Sequence, residues 1–402
     1  MTNEKKNVPE LRFPEFSGEW EERKLGDVAK ITMGQSPESK YYTEDESETI
    51  LVQGNADLKK GRVFPRIYTK QVTKMVTKGD ILLTVRAPVG KLAIAQMNVC
   101  IGRGVCSINS GLFTYYFLEK FYIDGKWFMF SQGSTFESVS GKDIKKLKIL
   151  LPNNVEKKHI VDFFSKLDRQ IELEELKLEK LEEQKKGYMQ KIFSQQLRFK
   201  DENGNDFPKW GRMSLDDLGR SYTGLSGKTK KDFGYGESYF ITYRNVFKNT
   251  IASSDLVEKV NINEFENQNK VEYKDILITT SSETPHEAGM SSIWLYSAKN
   301  MYLNSFCFGF RVTTKNIEPI YLARILRSSQ LRKRITIIAQ GSTRFNVSKN
   351  ELLKLKVHLP ILEEQRRIVD FLDNIDKMIE NQSKKIDLLK ERKKGFLQKM
   401  FV

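Results

Sequence analysis

The chain has 402 residues, a hydrophobic fraction of 39% and a formal net charge of +15. No run of eighteen apolar residues occurs, and none follows the N-terminus closely, so we expect neither a membrane span nor a secretory signal. Cys100, Cys106 and Cys307 form no disulfide framework or zinc site, which predicts a protein of the reducing cytoplasm. The positive charge favours a polyanionic partner.

The N-terminal half begins with a polar segment, residues 1–19, of which we expect the first ten to be disordered. A mixed α/β domain is predicted over 20–151. Its short aliphatic or β-branched runs, bounded by Gly and Pro, are typical of strands, and one longer apolar run is typical of a helix. The predicted strands are 50–53, 81–85, 92–95 and 148–151, and the predicted helix is 112–122.

A long helix follows at 155–193, inside a spacer segment that covers 152–194. Its apolar residues recur at spacings that alternate between four and three, which is a narrow heptad seam and not a broad amphipathic face. A helix with one narrow seam is unstable alone, so it needs a partner. The seam consists of Ile160, Phe164, Leu167, Ile171, Leu178, Leu181, Tyr188 and Ile192.

The same organisation returns after a linker at 195–209. We predict a second mixed domain over 210–359 and a second spacer helix within 360–402. Between 131–193 and 339–401, 28 of 63 positions are identical, which indicates an internal duplication. In the middle of the repeat, the two copies agree only in short strand-like runs. In the second copy these runs are 276–280, 292–296 and 306–312, and a helix is predicted at 319–331. Loops on a shared frame usually carry recognition, so two different loop sets predict two different targets.

The matching seams predict that the two long helices pair. Connectivity would then make them antiparallel, with the two domains at opposite ends. The predicted fold is therefore two α/β (α+β) globular domains in tandem, separated by two long helices that form an antiparallel coiled coil, with a pseudo-two-fold internal repeat. In the alternative, each helix packs on its own neighbouring domain.

The sequence contains no complete catalytic motif among those considered below. Residues 226–229 read Ser-Gly-Lys-Thr, like the end of a phosphate-binding loop, but Tyr222 occupies the position where that motif needs glycine. No dinucleotide-binding glycine motif, amino-methyltransferase tetrapeptide or zinc-protease motif is present. The sequence therefore predicts a chain without catalytic residues.

Basic, amide and hydroxyl side chains recur in the loops of both copies. Arginine suits the O6 and N7 atoms of guanine, and asparagine or glutamine suits adenine, because each pair makes two hydrogen bonds. Small residues let the backbone approach phosphates. The alternative interpretation of any single one of them is an ordinary turn residue. The candidate DNA-binding residues are Gln35, Ser36, Gln53, Asn55, Arg86, Arg103, Ser134 and Thr135 in the first copy, and Lys228, Tyr243, Arg244, Asn245, Thr280, Ser281, Ser342, Arg344 and Asn346 in the second.

The entry to each long helix carries a repeated motif. Gly-Ser-Thr precedes IKKLKILLP at 144–152 and EKKHIVDFF at 156–164, and the copy reads LLKLKVHLP at 352–360 and EQRRIVDFL at 364–372. The helices end in QKKGYMQKIF and RKKGFLQKMF. With these motifs the chain resembles the specificity subunit of type I restriction-modification systems over nearly its whole length. The first copy departs from the pattern at 153–157.

The resemblance implies two target-recognition domains, each reading one half of a split, asymmetric sequence in double-stranded DNA. It implies that the helices set the spacing and dock two methyltransferase (M) subunits, which methylate adenine N6 with S-adenosylmethionine. Two restriction (R) subunits would add ATP-driven, Mg²⁺-dependent translocation and cleavage. The chain itself would bind no cofactor or metal. A coiled-coil scaffold with two protein-binding domains is the alternative.

Overall fold

Residues 7–130 and 138–402 are described by the structure, a computed structural model. The chain divides into two compact units. Unit 1 comprises Met1–Lys177 and Gln382–Val402, and unit 2 comprises Leu178–Asn381. In the described residues, no helix combines the length and the apolar character needed to cross a membrane.

Unit 1 is built on two sheets and a strand pair. The strands are β1 (Glu21–Lys24), β2 (Lys30–Met33), β3 (Tyr42–Thr43), β4 (Thr49–Val52), β5 (Leu58–Lys59), β6 (Arg62–Val63), β7 (Tyr68–Thr69), β8 (Met75–Val76), β9 (Ile81–Thr84), β10 (Leu92–Ile94), β11 (Val99–Ile101), β12 (Val105–Asn109) and β13 (Lys148–Leu151). The main sheet is mixed and has the strand order β2-β12-β9-β10-β6-β5. The second sheet has the order β3-β7-β4-β11-β8, and β1 pairs with β13. The helices are α1 (Leu25–Val28), α2 (Leu112–Ile123), α3 (Gly141–Lys146) and the start of the long α4 (Asn154–Phe193).

Unit 2 repeats the frame with different additions. Its strands are β14 (Gly211–Ser214), β15 (Gly219–Thr223), β16 (Phe233–Ile241), β17 (Val257–Val260), β18 (Ile276–Thr279), β19 (Ser281–Ser282), β20 (Ser291–Ile293), β21 (Met301–Leu303), β22 (Cys307–Val312), β23 (Ala339–Gln340), β24 (Phe345–Val347) and β25 (Lys356–Leu359). The main sheet has the order β15-β22-β18-β20, β14 pairs with β25, and two small sheets have the orders β17-β16-β21 and β19-β24-β23. The helices are α5 (Tyr243–Lys248), α6 (Pro319–Leu326), α7 (Ser329–Ile338), α8 (Lys349–Leu353) and the start of the long α9 (Leu362–Met400).

The sheet registers show that the two units share a frame. Cys106 pairs with Leu83 in the first, and Phe308 pairs with Ile278 in the second. The order β2-β12-β9-β10 corresponds to β15-β22-β18-β20, with antiparallel neighbours throughout. Both units are therefore mixed α+β folds, as the sequence predicted.

The predicted strands and long helices lie within a few residues of those observed, but one helix is wrong. The sequence predicts one helix at 319–331, whereas the structure has two helices, α6 and α7, which meet at Arg327 and Ser328. Ser328 begins a new helix by accepting a hydrogen bond from the backbone N–H of Leu331. Arg327 turns inward, and its guanidinium donates to backbone carbonyls of Val246 and other residues.

In each unit, one part of α4 lies antiparallel to one part of α9. Within unit 1, Phe163 meets Phe396 with 5.1 Å between ring centroids, while Glu174, further along α4, accepts a 2.6 Å hydrogen bond from Gln382, earlier in α9. Within unit 2, Tyr188 lies 5.1 Å from Phe371. Also within unit 2, Lys185 of α4 forms an ion pair of 2.5 Å with Asp376 of α9, so polar residues between the apolar positions are paired as well.

The ends of the long helices also belong to the domain cores. Phe164 is fully buried in the core of unit 1 beside Trp20, and Ile368 is fully buried in the core of unit 2 beside Tyr321. Within each unit, the segments of α4 and α9 therefore contact both each other and the core of that unit. Burial against a whole domain explains how so narrow a seam is stabilised.

A buried glutamate at the start of each long helix holds the segment that precedes each domain. The Glu156 carboxylate accepts hydrogen bonds from Arg12 Nε at 2.7 Å and from Trp20 Nε1 at 3.3 Å. Asn7 accepts the Trp20 backbone N–H at 2.8 Å, so the prediction of disorder is wrong for residues 7–10. The hydrogen bond to Glu156 raises the pKa of Arg12.

The same three-residue cluster recurs in unit 2. The Glu364 carboxylate accepts hydrogen bonds from Arg198 Nε at 3.1 Å and Arg198 Nη2 at 2.7 Å. It also accepts one from Trp210 Nε1 at 3.1 Å. Bidentate pairs of this kind are stronger than single hydrogen bonds between neutral groups. Duplication thus preserved a polar contact that fixes the start of each domain to its helix.

Candidate nucleic-acid interface

Each unit has an open cleft at the same place on the shared frame. The backbone N–H of Val85, just after β9, donates to the carbonyl of Gly104 at 2.9 Å, and that of Thr280, just after β18, donates to Phe306 at 2.8 Å. The neighbouring loops approach so closely that a Cβ on Gly34 would lie 2.1 Å from the Gly102 carbonyl oxygen. The corresponding loop of unit 2 packs equally tightly. The walls of each cleft are therefore held by backbone contacts, while side chains project into it.

The cleft of unit 1 has a volume of about 230 Å³ and brings together five of the predicted residues. Ser36 accepts the backbone N–H of Arg103 at 3.1 Å, which joins two of the loops. The side chains of Arg86 and Arg103 are exposed, and neither has an ion-pair partner in the described part of unit 1. The cleft is lined by Ser36, Gln53, Gly54, Asn55, Arg86, Ala87, Arg103 and Gly104.

The remaining predicted residues of the first copy are not among those that line this cleft. Gln35 is exposed, and its backbone carbonyl accepts the hydroxyl of Thr73. Ser134 and Thr135 lie outside the described residues. The arginine, amide and hydroxyl chemistry predicted for this copy is therefore concentrated in the five residues of the cleft.

The cleft of unit 2 is larger, about 450 Å³, and contains three of the predicted residues, Tyr243, Ser281 and Arg344. The Tyr243 hydroxyl donates to the Ser281 carbonyl at 2.6 Å. Burial raises the pKa of Tyr243, so its hydroxyl stays protonated at neutral pH. The lining residues are Tyr243, Phe247, Ser281, Ser282, Glu283, Glu287, Phe306 and Arg344.

Aromatic rings form much of this second cleft. Tyr243 and Phe247 stack with 5.9 Å between centroids. Phe306 is 52% exposed, and the Arg344 guanidinium lies 5.9 Å from its ring centroid. Exposed aromatic and arginine side chains at one site are typical of recognition surfaces.

The structure contradicts the prediction for Asn245 and disfavours those for Lys228 and Thr280. Asn245 is fully buried, and its amide donates to the carbonyls of Ser253 and Leu256. The Lys228 side chain is 5% exposed and is held by the Asn261 carbonyl and by Glu266. The Thr280 hydroxyl donates to the Phe306 carbonyl at 2.8 Å. Side chains held in this way stabilise loops, and the buried Asn245 is not accessible to a base.

Three further predicted residues are exposed but do not line the cleft: Arg244, Ser342 and Asn346. Asn346 lies in β24, and Ser342 lies in the loop between β23 and β24. Gly341 opens that loop with φ +147°, and a Cβ there would lie 1.9 Å from the Arg344 carbonyl oxygen. Gly341 is therefore required by the turn of the second copy.

The sequence interpretation missed the acidic and aromatic lining of the second cleft: Phe247, Glu283, Glu287 and Phe306. It considered basic, amide and hydroxyl side chains alone. The signal that could have found Glu283 is its position directly after the strand pattern shared by the two copies. Loop differences next to a matched strand mark the same place in both domains.

Known proteins are similar to this chain over nearly its whole length. Residues 17–183 and 208–391 each match the family described as type I restriction modification DNA specificity domain. A putative type I restriction enzyme MjaX specificity subunit of Methanocaldococcus jannaschii is 34% identical over 207 residues, and the match spans about half of each protein, 49% of this chain and 48% of the relative. The MjaVIII specificity subunit of the same organism is 24% identical over 98% of this chain and 93% of its own.

Solved structures show the same fold. The type I restriction-modification S subunit from M. genitalium matches with a TM-score of 0.55 at 16% identity, covering 98% of this chain and 99% of that one. A chain from a structural study of complex assembly and conformational transition of the type I R-M system matches with a TM-score of 0.60 at 17% identity, covering 97% and 99%. At these identities the likeness concerns the fold alone.

Proposed function

The chain belongs to the family of type I restriction modification DNA specificity domains and is a specificity subunit of that kind; from this premise we propose that its two domains each read one half of a bipartite, asymmetric DNA site. The resemblance predicted from the helix-entry motifs is thereby confirmed. The recognition domains are residues 20–151 and 210–359; segment 1–19 precedes the first, and spacer 152–194 with linker 195–209 separates the two.

The observation that carries the proposal is the pair of matched clefts with different linings. The same frame holds both, yet the first presents Arg86 and Arg103 and the second presents Glu283 and Phe306. Side chains that differ at equivalent places recognise different base edges. The two half-sites therefore differ, and the whole site is not a palindrome.

The spacer segments 152–194 and 360–402 form an antiparallel coiled coil, and the chain is a pseudo-two-fold internal repeat. Support comes from contacts inside each unit, where segments of α4 and α9 run antiparallel, and from the repetition of the Glu156 cluster at Glu364. A heptad seam in both helices suits such pairing.

The chain contributes recognition and no catalysis. Two methyltransferase subunits dock on it and methylate adenine N6 with S-adenosylmethionine, and two restriction subunits supply ATP- and Mg²⁺-dependent translocation and cleavage. The chain binds none of these cofactors, and the target base flips into a pocket of the partner. It works in the cytoplasm, where its buried thiols stay reduced.

Exchange of residues 20–151 for the matching domain of a related protein tests the modular proposal. We expect one half of the methylated site to change and the other half to stay the same, because each domain reads its own half-site. Single-molecule sequencing of methylated adenines in cells that carry the complex measures both halves at once. A change in both halves would contradict separate reading by two domains.

A salt titration separates this function from a coiled-coil scaffold that binds proteins through both domains. We expect duplex binding by the assembled complex to fall as a power of salt concentration, by roughly a thousandfold between 50 and 200 mM, because six or more phosphate contacts release counterions. Fluorescence anisotropy with labelled DNA measures the slope. Binding that is weak at low salt and insensitive to it would favour the scaffold.

A further inference from the structure

We propose that Glu283 is a specificity-determining residue, whose carboxylate accepts a hydrogen bond from the exocyclic amino group of one base, cytosine N4 or adenine N6, in the half-site read by unit 2. This inference rests on the proposed function. It adds a base-reading residue of negative charge to a chain whose candidate readers are otherwise basic or neutral.

The two clefts occupy equivalent places on the shared frame. Backbone hydrogen bonds from Val85 to Gly104 and from Thr280 to Phe306 align the strands and the loops that line them. By this alignment Ser281 of unit 2 stands where unit 1 has Arg86. The second cleft thus lacks the arginine of the first at that place, and Glu283 follows two residues later.

The two glutamates of this cleft are held differently. Glu287 accepts the hydroxyl of Thr284 at 2.6 Å and that of Ser282 at 3.3 Å, so it is engaged in holding the loop. Glu283 is exposed, and within the described part of the chain its carboxylate has neither a hydrogen-bond donor nor a salt-bridge partner. Glu283 is therefore available to a ligand, and Glu287 supports the loop that carries it.

A carboxylate on a DNA-binding surface weakens the attraction to phosphates. It is compensated when it accepts a hydrogen bond, and in the major groove cytosine N4 and adenine N6 are donors. Guanine O6 and N7 and thymine O4 are acceptors, so a carboxylate next to them is left unpaired and repelled. Glu283 therefore favours one orientation of a base pair over the reverse.

The neighbouring residues favour cytosine as the partner. Arg344 lines the same cleft and lies over Phe306. Arginine suits guanine O6 and N7, and one guanine·cytosine pair presents those acceptors beside the cytosine amino group. Glu283 and Arg344 can thus be satisfied by a single pair.

The test removes both members of the hydrogen bond in turn, in the full chain assembled with its methyltransferase partner. The half-site is first read from methylated adenines in cells. Each cytosine and adenine of that half-site is then replaced by 2-pyrimidinone or purine, which lack the exocyclic amino group. We expect one replacement to weaken wild-type binding roughly tenfold or more, as for a hydrogen bond to a charged group, and to leave the binding of Glu283→Ala unchanged.

Loss at a cytosine identifies N4 as the donor, and loss at an adenine identifies N6. The matched control is Glu258→Ala, which removes an exposed carboxylate on β17 outside the cleft and should keep the wild-type response. If Glu283→Ala remains as sensitive as wild type to every amino deletion, the inference is overturned. If the wild-type complex nevertheless methylates a bipartite site, the proposed function remains intact. If the wild-type complex methylates no bipartite site, the proposed function itself is overturned.

Discussion

Replacement of Glu364 by alanine is expected to lower the free energy of unfolding by about 3 kcal/mol, near the lower end for breaking a buried ion pair. Glu364 is fully buried and accepts hydrogen bonds from Arg198 and the Trp210 indole, so its loss leaves Arg198 Nε and Trp210 Nε1 without an acceptor. The Arg198 side chain keeps 25% exposure and its bond to the Pro208 carbonyl, which moderates the loss. Urea denaturation of the full chain measures the change.

The neighbouring Glu363→Ala provides the control. Glu363 has a side chain that is 55% exposed and a 3.4 Å ion pair with Arg367, so its removal should change stability by less than about 1 kcal/mol. Hydrogen exchange should place the effect of Glu364→Ala at the start of α9 and around Trp210. Equal stability of the two variants would show that the glutamate cluster does not hold the domain to its helix.

The double variant Arg86→Ala, Arg103→Ala is expected to reduce sequence-specific DNA binding by roughly a hundredfold or more. Each bidentate contact between arginine and guanine contributes about 1–3 kcal/mol of discrimination, and both side chains line the first cleft. Competition between a specific duplex and a random duplex at fixed salt measures the ratio directly. Methylation in cells should become degenerate in one half-site only.

Two matched variants separate base reading from charge. Arg23→Ala, Lys24→Ala removes the same charge from exposed positions of β1 outside the cleft, and it should weaken specific and random binding about equally. Arg86→Lys, Arg103→Lys keeps the charge but lacks the planar fork, so it should lose discrimination. Discrimination that survives in the double alanine variant would exclude these arginines as readers.

Much of the frame was predictable because it depends on local patterns. The seam through Phe164 and Ile171 has helical spacing, the runs at 81–84 and 276–279 have strand composition, and Pro152 and Pro360 mark the start of each spacer. The division between α6 and α7 was not predictable, since it depends on where Arg327 finds carbonyl partners far along the chain. Local spacing cannot reveal a partner of that kind.

The sequence by itself determined the duplication, the family resemblance and the chemical types of residue that the first cleft collects. Tertiary structure alone decided which of these residues face outward. Asn55 is exposed in its cleft whereas Asn245, at the matching place in the sequence, is buried under Ser253 and Leu256. It also decided that the exposed Glu283 belongs to the second cleft. The physical reason is that burial and hydrogen-bond satisfaction depend on segments that are distant in the chain, and two copies of one frame with different loops satisfy the same side chain differently.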